Sequence, residues 1–174
     1  MTQRINIVLF GIGKTGSALI NKAVKSRKDL AIDEQIELRF PVITNSTVAF
    51  FEKEGPKYSW EANFIQFGVP FKLEDVVDYV HANNLDNLVA VDATGSADFA
   101  AQYAGLLKSG FNVLSINDTL GTLKDSHENE ILRTALNRGL EYNFIKLPKG
   151  NDKAAANELF EAILAIAQKR KAVA

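Results

Sequence analysis

Apolar residues recur along this chain with two alternating periods, and the alternation predicts its elements. Residues 5–10, "INIVLF", are apolar almost throughout and end at glycine, as suits a strand buried on both faces of a parallel sheet. Over 15–27, Leu19, Ile20, Ala23 and Val24 form one helical stripe, with Lys22, Lys25, Arg27 and Lys28 elsewhere on the surface. A second strand is predicted over 36–43; Pro41 has no N–H for a ladder, which argues for an edge position or a bulge. A helix is expected over 47–53, with "EGPKY" and "FGVP" as turns after it. Leu73, Val76, Val77 and Val80 then repeat at helical spacing as far as "ANN", before a strand at 88–92, "LVAVD". Ser96 suits an N-cap for a helix burying Phe99, Tyr103, Leu106 and Leu107 and stopped by Gly110. There follow a strand at 112–115, a helix through Ile131, Leu132, Ala135 and Leu136 closed by Gly139, and a last strand within "EYNFIKL". An amphipathic helix from 153 buries Leu159, Phe160, Ile163, Leu164 and Ala167. Strands alternating with helices imply right-handed βαβ units and an α/β fold: a doubly wound, mainly parallel sheet with helices on both faces.

Composition narrows the chemistry. The 174 residues suit one domain, with 1–147 as its core and 148–174 as a turn and packing helix. Twenty basic residues against twenty-one acidic ones make no field that would gather nucleic acid or anionic lipid. The absence of cysteine removes disulfides, thiolate catalysis and thiolate metal sites. No stretch approaches the roughly 20 apolar residues of a membrane span, and the N-terminal apolar run is too short for a signal peptide. A soluble, cytoplasmic protein without nucleic-acid or membrane partners is the expectation.

"GIGKTGSALI", 11–20, carries glycines at its first, third and sixth positions, directly after a strand and at the start of a helix. In a dinucleotide-binding, Rossmann-like fold the first glycine permits a tight turn, the second lets backbone approach the diphosphate, and the third lets helix and strand pack closely. Gly11, Gly13 and Gly16 hold those positions, and Gly11, Ile12, Gly13, Lys14, Thr15 and Gly16 are candidate cofactor-binding residues, beside a helix N-terminus whose unpaired N–H groups favour phosphate. The Lys14 side chain would meet either phosphate or water. The plain alternative is a glycine turn that only packs.

An Asp or Glu usually ends the second strand of such a fold and holds the adenosine ribose. Here the strand ends "VITNS", so the acid is missing, and Asn45 and Ser46 stand where it would be. Neutral groups there accept either ribose form, and no arginine at the strand end selects a 2′-phosphate. The cofactor is therefore NAD or NADP, with the choice open.

The segments "INIVLFGIGKTGSAL", "ELRFPVITNS" and "VAVDATGSADFAAQYAGLLKSGFNVLSIND", with Trp60 and "PFKLEDVVDYV" between them, closely resemble the nucleotide-binding domain of homoserine dehydrogenase, most of all the form fused to aspartokinase. The resemblance covers roughly residues 4–146. It implies that Thr94, Gly95 and Ser96 lie beside the ribose and nicotinamide of the cofactor, a placement also favoured by small residues at the carboxyl end of a parallel strand. A capping turn is the bland reading of the same residues. The family carries a T-P-N-K-x-A motif after the next strand, and this chain has "SINDTLG". Asn117 matches the asparagine and would contact the nicotinamide end. Asp118 replaces the motif lysine, exchanging a cationic donor for an anionic acceptor.

The resemblance also implies a second, catalytic and dimerising domain after the last strand, for which these 174 residues leave no room. The tail "PKGNDKAAANELFEAILAIAQ" matches either the family's C-terminal turn and helix, the favoured alignment, or a shortened helix leading into the catalytic domain; Pro148 and Lys149 depart from the small residues of the family turn. His81 and His127 are expected to be surface or capping residues, Asp92 and Asp118 a capping pair, and the phenylalanines of "FIQFGVPF" core. Three functions follow: an NAD(P)-binding domain without homoserine dehydrogenase activity of its own, an oxidoreductase completed by a homodimer or partner chain, or a non-catalytic regulatory protein with a degenerate nucleotide site.

Overall fold

In the computed structural model, residues 1–147 and 150–173 are described. In chain order the elements are β1 (Gln3–Phe10), α1 (Lys14–Asp29), β2 (Ile36–Thr44), β3 (Val48–Phe51), α2 (Trp60–Phe67), β4 (Val69–Pro70), α3 (Leu73–Ala82), β5 (Leu88–Asp92), α4 (Ala97–Ala100), α5 (Tyr103–Lys108), β6 (Asn112–Ser115), α6 (Asp125–Arg138), β7 (Tyr142–Phe144) and α7 (Asp152–Val173). One sheet carries every strand, in the order β4-β3-β2-β1-β5-β6-β7. The β2-β1-β5-β6-β7 ladders are parallel; β3 and β4 extend the sheet as antiparallel additions beside β2.

The central strands are mostly apolar because both of their faces are covered. Along β1, Ile5, Ile7 and Leu9 pack into the core beneath α1 and α7. Val8 and Phe10 pack into the opposite core, beneath α3, α4, α5 and α6. β5 divides in the same way, with Val89 and Val91 on the first face and Leu88 and Ala90 on the second.

Pro41 resolves as a bulge rather than an edge. Asn6 pairs with Arg39 and Val8 with Val42, so β1 spends two steps where β2 spends three. The extra residue shifts the parity of β2: Ile36, Leu38 and Phe40 face the first core, and after the bulge the same face is held by Ile43. A proline fits here because the chain next to it is served by the following loop, where Phe40 N–H donates to Gly55 C=O at 2.7 Å and Glu52 N–H donates to Pro41 C=O at 2.9 Å.

Three expectations need correction. The helix expected over 47–53 is β3, whose β-branched and aromatic residues pair antiparallel with β2, Val42 opposite Phe51 and Thr44 opposite Ala49. The helix expected through Phe99 to Leu107 is broken into α4 and α5. The phenylalanines of "FIQFGVPF" split: Phe64 enters the core beneath α1 and α7, Phe71 packs at the margin of the opposite core, and Phe67 is exposed. Elsewhere the stops act as expected. Asn84 turns the chain at φ 51 after α3, Gly110 at φ 98 after α5, and Gly139 closes α6 at φ 65.

α7 lies along α1. Its buried residues are Ala155, Ala156, Leu159, Phe160, Ile163, Ile166 and Ala167, with Leu164 only partly covered. Lys22 of α1 donates to Asn157 at 2.8 Å and lies 5.0 Å from the centre of the Phe160 ring. Among the described residues no helix is long and apolar enough to cross a membrane.

Candidate functional site

The chain leaves β1 for strands on one side of the sheet and returns through β5 to the other, so the carboxyl ends of β1 and β5 flank a topological switch point. The glycine turn lies there. Gly11 has φ 97, and a Cβ on it would stand 2.9 Å from the carbonyl carbon and oxygen of Ala93, the residue following β5. A Cβ on Gly16 would meet the Gly11 carbonyl oxygen at 1.9 Å, so the first turn of α1 closes onto the loop only because that side chain is absent. Around Gly13, by contrast, nothing lies within 4 Å of a Cβ position. Two glycines are required by packing, and the middle one borders open space.

The helix start is unsatisfied in the manner an anion needs. Gly13 caps α1 without a side-chain acceptor, and Ser17 N–H donates to Gly13 C=O at 2.9 Å. The amides of Lys14, Thr15 and Gly16 precede that bond and have no place in the helical ladder. Among the described residues no side chain accepts from the amides of residues 12–16; the side chains themselves look elsewhere, Ser17 Oγ donating to Ile12 C=O at 2.8 Å and Thr15 Oγ1 to Asp152 at 3.0 Å. Lys14 is exposed and borders a groove between α1 and α7. The loop leaves room for a diphosphate: the Cβ position of Gly13 borders open space, and the amides that follow it lack helical acceptors.

A cavity of about 680 Å³ opens between the ends of β1 and β2, the turn after β5, and α3, α4 and α5; none of residues 11–16 lines it. Thr44, Asn45 and Ser46 form one wall, and Phe10, Phe71, Leu73 and Phe99 its apolar floor. Asn45 Oδ1 is consumed by an Asx turn, accepting from the amides of Thr47 at 2.9 Å and Val48 at 2.7 Å, which leaves its Nδ2 to donate. Thr94 and Ser96, from the turn after β5, line another part of the wall.

Behind that wall is a buried polar network that the sequence disclosed only in part. Asp92, 1% exposed at the end of β5, accepts from Thr94 N–H at 2.8 Å and Thr94 Oγ1 at 2.6 Å through Oδ1. Its Oδ2 accepts from the Tyr103 hydroxyl and, at 2.9 Å, from Asn117 Nδ2. Ser115 Oγ, 2.6 Å from the Tyr103 hydroxyl, accepts from Asn117 N–H at 2.9 Å. Burial, followed by the Asp92 charge and the hydrogen bond to it, pushes the Tyr103 hydroxyl far above the usual tyrosine value. Asn117 also donates to Ser96 C=O at 2.8 Å, while its Oδ1 accepts from Thr119 Oγ1 at 2.6 Å. Its carboxamide is committed on both sides, and it is 0% exposed. Ser96 does cap its helix, accepting from Phe99 N–H at 3.1 Å, and Gly95 lies open, with nothing within 4 Å of a Cβ position.

The expected capping pair of Asp92 and Asp118 does not form. Asn117 takes the place beside Asp92, and Asp118 begins a 3-10 turn, Asp118–Thr122, as an exposed residue. Asp118 instead borders a second cavity of about 710 Å³ with Ile116, Phe144, Lys146, Asn151 and Asp152, on the far side of the switch point. Pro148 and Lys149 lie outside the described residues. Neither His81 nor His127 lines either cavity; they tie down loops, His81 Nε2 lying 2.9 Å from the C=O of Ser109, a residue of the first cavity's lining, and His127 Nε2 3.4 Å from Ala101 C=O. Tyr103, read in sequence as one apolar position on a helix, is the member of this network that the pattern missed. Its only signal was the polar atom that a fully buried tyrosine must satisfy.

Residues 11–144 match the family described as homoserine dehydrogenase, NAD binding domain. The bifunctional aspartokinase/homoserine dehydrogenase of Buchnera aphidicola is 26% identical over 141 residues, which cover 80% of this chain and 17% of that protein. The chain thus spans about a sixth of the length of such relatives. The homoserine dehydrogenase of Thermoplasma acidophilum shares the fold with a TM-score of 0.62 at 18% identity, over 81% of this chain and 43% of that one. A hyperthermophilic archaeal homoserine dehydrogenase mutant, solved in complex with NADPH, superposes with a TM-score of 0.57 at 20% identity over the same shares. The glycine turn at the switch point and the match through 134 residues have one conclusion: the chain belongs to the homoserine dehydrogenase NAD-binding domain family.

Proposed function

We propose that this chain binds a nicotinamide adenine dinucleotide, NAD or NADP, in the crevice at the carboxyl ends of β1, β2 and β5, and does not by itself oxidise homoserine. The open space at Gly13, between two glycines whose Cβ positions are blocked, carries the binding half of the proposal. The diphosphate accepts from the amides of Ile12 to Gly16, with Lys14 at the rim. Asn45 and Ser46 meet the adenosine ribose, and the adenine enters the apolar part of the 680 Å³ cavity. Thr94, Gly95 and Ser96 lie against the second ribose and the nicotinamide. Asn117 belongs to the site as a positioning residue: its side-chain bonds to Asp92 and Ser96 hold the β5 turn in place. A cytoplasmic location is part of the same proposal, in keeping with a cysteine-free chain.

The catalytic half rests on Asp118. The cofactor supplies a hydride acceptor, but the alcohol must be held within about 3 to 3.5 Å of it and deprotonated. The residue at the motif position is an exposed carboxylate, which would repel a substrate carboxylate and has no proton-accepting amine to offer. A second reading, an oxidoreductase completed by a homodimer or partner chain, is favoured by the 710 Å³ cavity bordered by Asp118 and Asp152.

Calorimetric titration with NAD, NADH, NADP and NADPH tests binding. A dinucleotide at 100 times its dissociation constant should stabilise the chain by about 2.7 kcal/mol. No stabilisation by any of the four would leave the degenerate-site alternative. Oxidation of homoserine or reduction of aspartate semialdehyde by the pure chain, lost in Asp118→Ala, would defeat the non-catalytic reading.

A further inference from the structure

We infer that this site selects NAD(H) over NADP(H), through carboxylates on α3 and α4 rather than through the end of β2. The inference rests on the dinucleotide reading above and goes beyond it by naming the form of cofactor. The acid expected at the end of the second strand is absent, and Asn45 and Ser46 in its place bind a 2′-hydroxyl or a 2′-phosphate alike. Selection must then come from the other groups that line the same cavity. These include Glu74 and Asp78 of α3 and Asp98 of α4, and among the described residues no lysine, arginine or histidine lines it.

All three carboxylates are exposed, and among the described residues none has an ion-pair partner. Their charge is therefore uncompensated toward the cavity. Lys72, the nearest cation in sequence, is exposed and outside the lining. A 2′-phosphate brings about −1.5 to −2 charges at neutral pH. It would sit with three like charges around one cavity, against a low-dielectric floor of Phe10, Leu73 and Phe99, and without a guanidinium to offset them. A 2′-hydroxyl carries no charge and loses nothing there, while Asn45 Nδ2 and the Ser46 hydroxyl supply its partners. The hydrogen bonds are common to both cofactors, so the charge decides.

Titration of the 174-residue chain with NADH and NADPH, at low and at high salt, tests this. NADH should bind about tenfold more tightly at low salt, and the gap should narrow as salt screens the carboxylates. The triple variant Glu74→Gln, Asp78→Asn, Asp98→Asn should bind NADPH about tenfold more tightly than the parent. Because two of these residues sit in first helical turns, circular dichroism should accompany the variant, and Ser46→Arg provides an independent arm. A guanidinium at the strand end should raise NADPH affinity, again by about tenfold. NADPH binding as tight as NADH in the parent, or an unchanged gap in the folded triple variant, overturns the selection while leaving dinucleotide binding intact. A Ser46→Arg chain with unaltered NADPH affinity overturns the placement of the ribose. Binding of neither cofactor overturns the dinucleotide reading, and the selection with it.

Discussion

Gly13 and Gly16, three residues apart in one turn, do different work, and substituting each in turn separates ligand space from packing space. A methyl at position 16 has to displace the Gly11 carbonyl from 1.9 Å. Gly16→Ala should therefore destabilise the fold by about 2–3 kcal/mol, read from urea unfolding, as overpacking against backbone does. Gly13→Ala meets nothing in the protein and should leave unfolding almost unchanged while weakening dinucleotide binding at least tenfold, since the methyl occupies the space of the diphosphate. Equal losses of stability in the two variants would contradict the division.

Tyr103 belongs to the same scale. Its hydroxyl keeps its proton well above the ordinary value of 10.0, which the unfolded chain regains. Above pH 10 the unfolded state therefore holds fewer protons than the native one, and stability falls as pH rises; below pH 10 the contribution is complete. Tyr142, pushed up to about 12 by burial and then by the nearby Glu128, adds to the same alkaline loss. Tyr103→Phe should cost about 1–3 kcal/mol at neutral pH by removing a donor from buried Asp92. Above pH 10 the variant should lose less stability per pH unit than the parent, by up to about 1.4 kcal/mol. Unfolding curves collected across that range decide it, and parallel pH profiles would show that Tyr103 titrates normally.

Among the elements, α7 was legible from its stripe of apolar residues, and its contact with α1 was not. Its buried face packs into the core shared with β1, so Ile163→Ala, at a fully buried position, should cost about 2–5 kcal/mol in global unfolding. A change under about 0.5 kcal/mol would mean that α7 is detachable. The segment at 48–51 was misread because four apolar residues in succession suit a short buried strand as well as a helical turn, and periodicity cannot separate them. What separated them was β2, whose open side took the segment as an antiparallel neighbour. Pro41 was read as an edge or a bulge, and the choice again lay outside the strand: β3 covers that side, leaving only the bulge.

For the whole molecule, the glycine spacing and the run of buried strands were enough to place a dinucleotide turn on an α/β sheet, since both depend on neighbours within a dozen residues. Chain order alone could not say that Asp92, Tyr103, Ser115 and Asn117 close into one buried network, because those contacts join β5, α5 and β6 across the sheet. Nor could it bring Glu74, Asp78 and Asp98 to the cavity that Asn45 and Ser46 also line. The sequence by itself determined which segments become strands and helices over most of the chain, and where backbone must turn without a side chain, because hydrophobic period and glycine sterics act locally. Tertiary structure decided the sheet order, the bulge, the polar network and the sign of the charge around the cavity, because burial and electrostatics depend on what distant segments bring into contact.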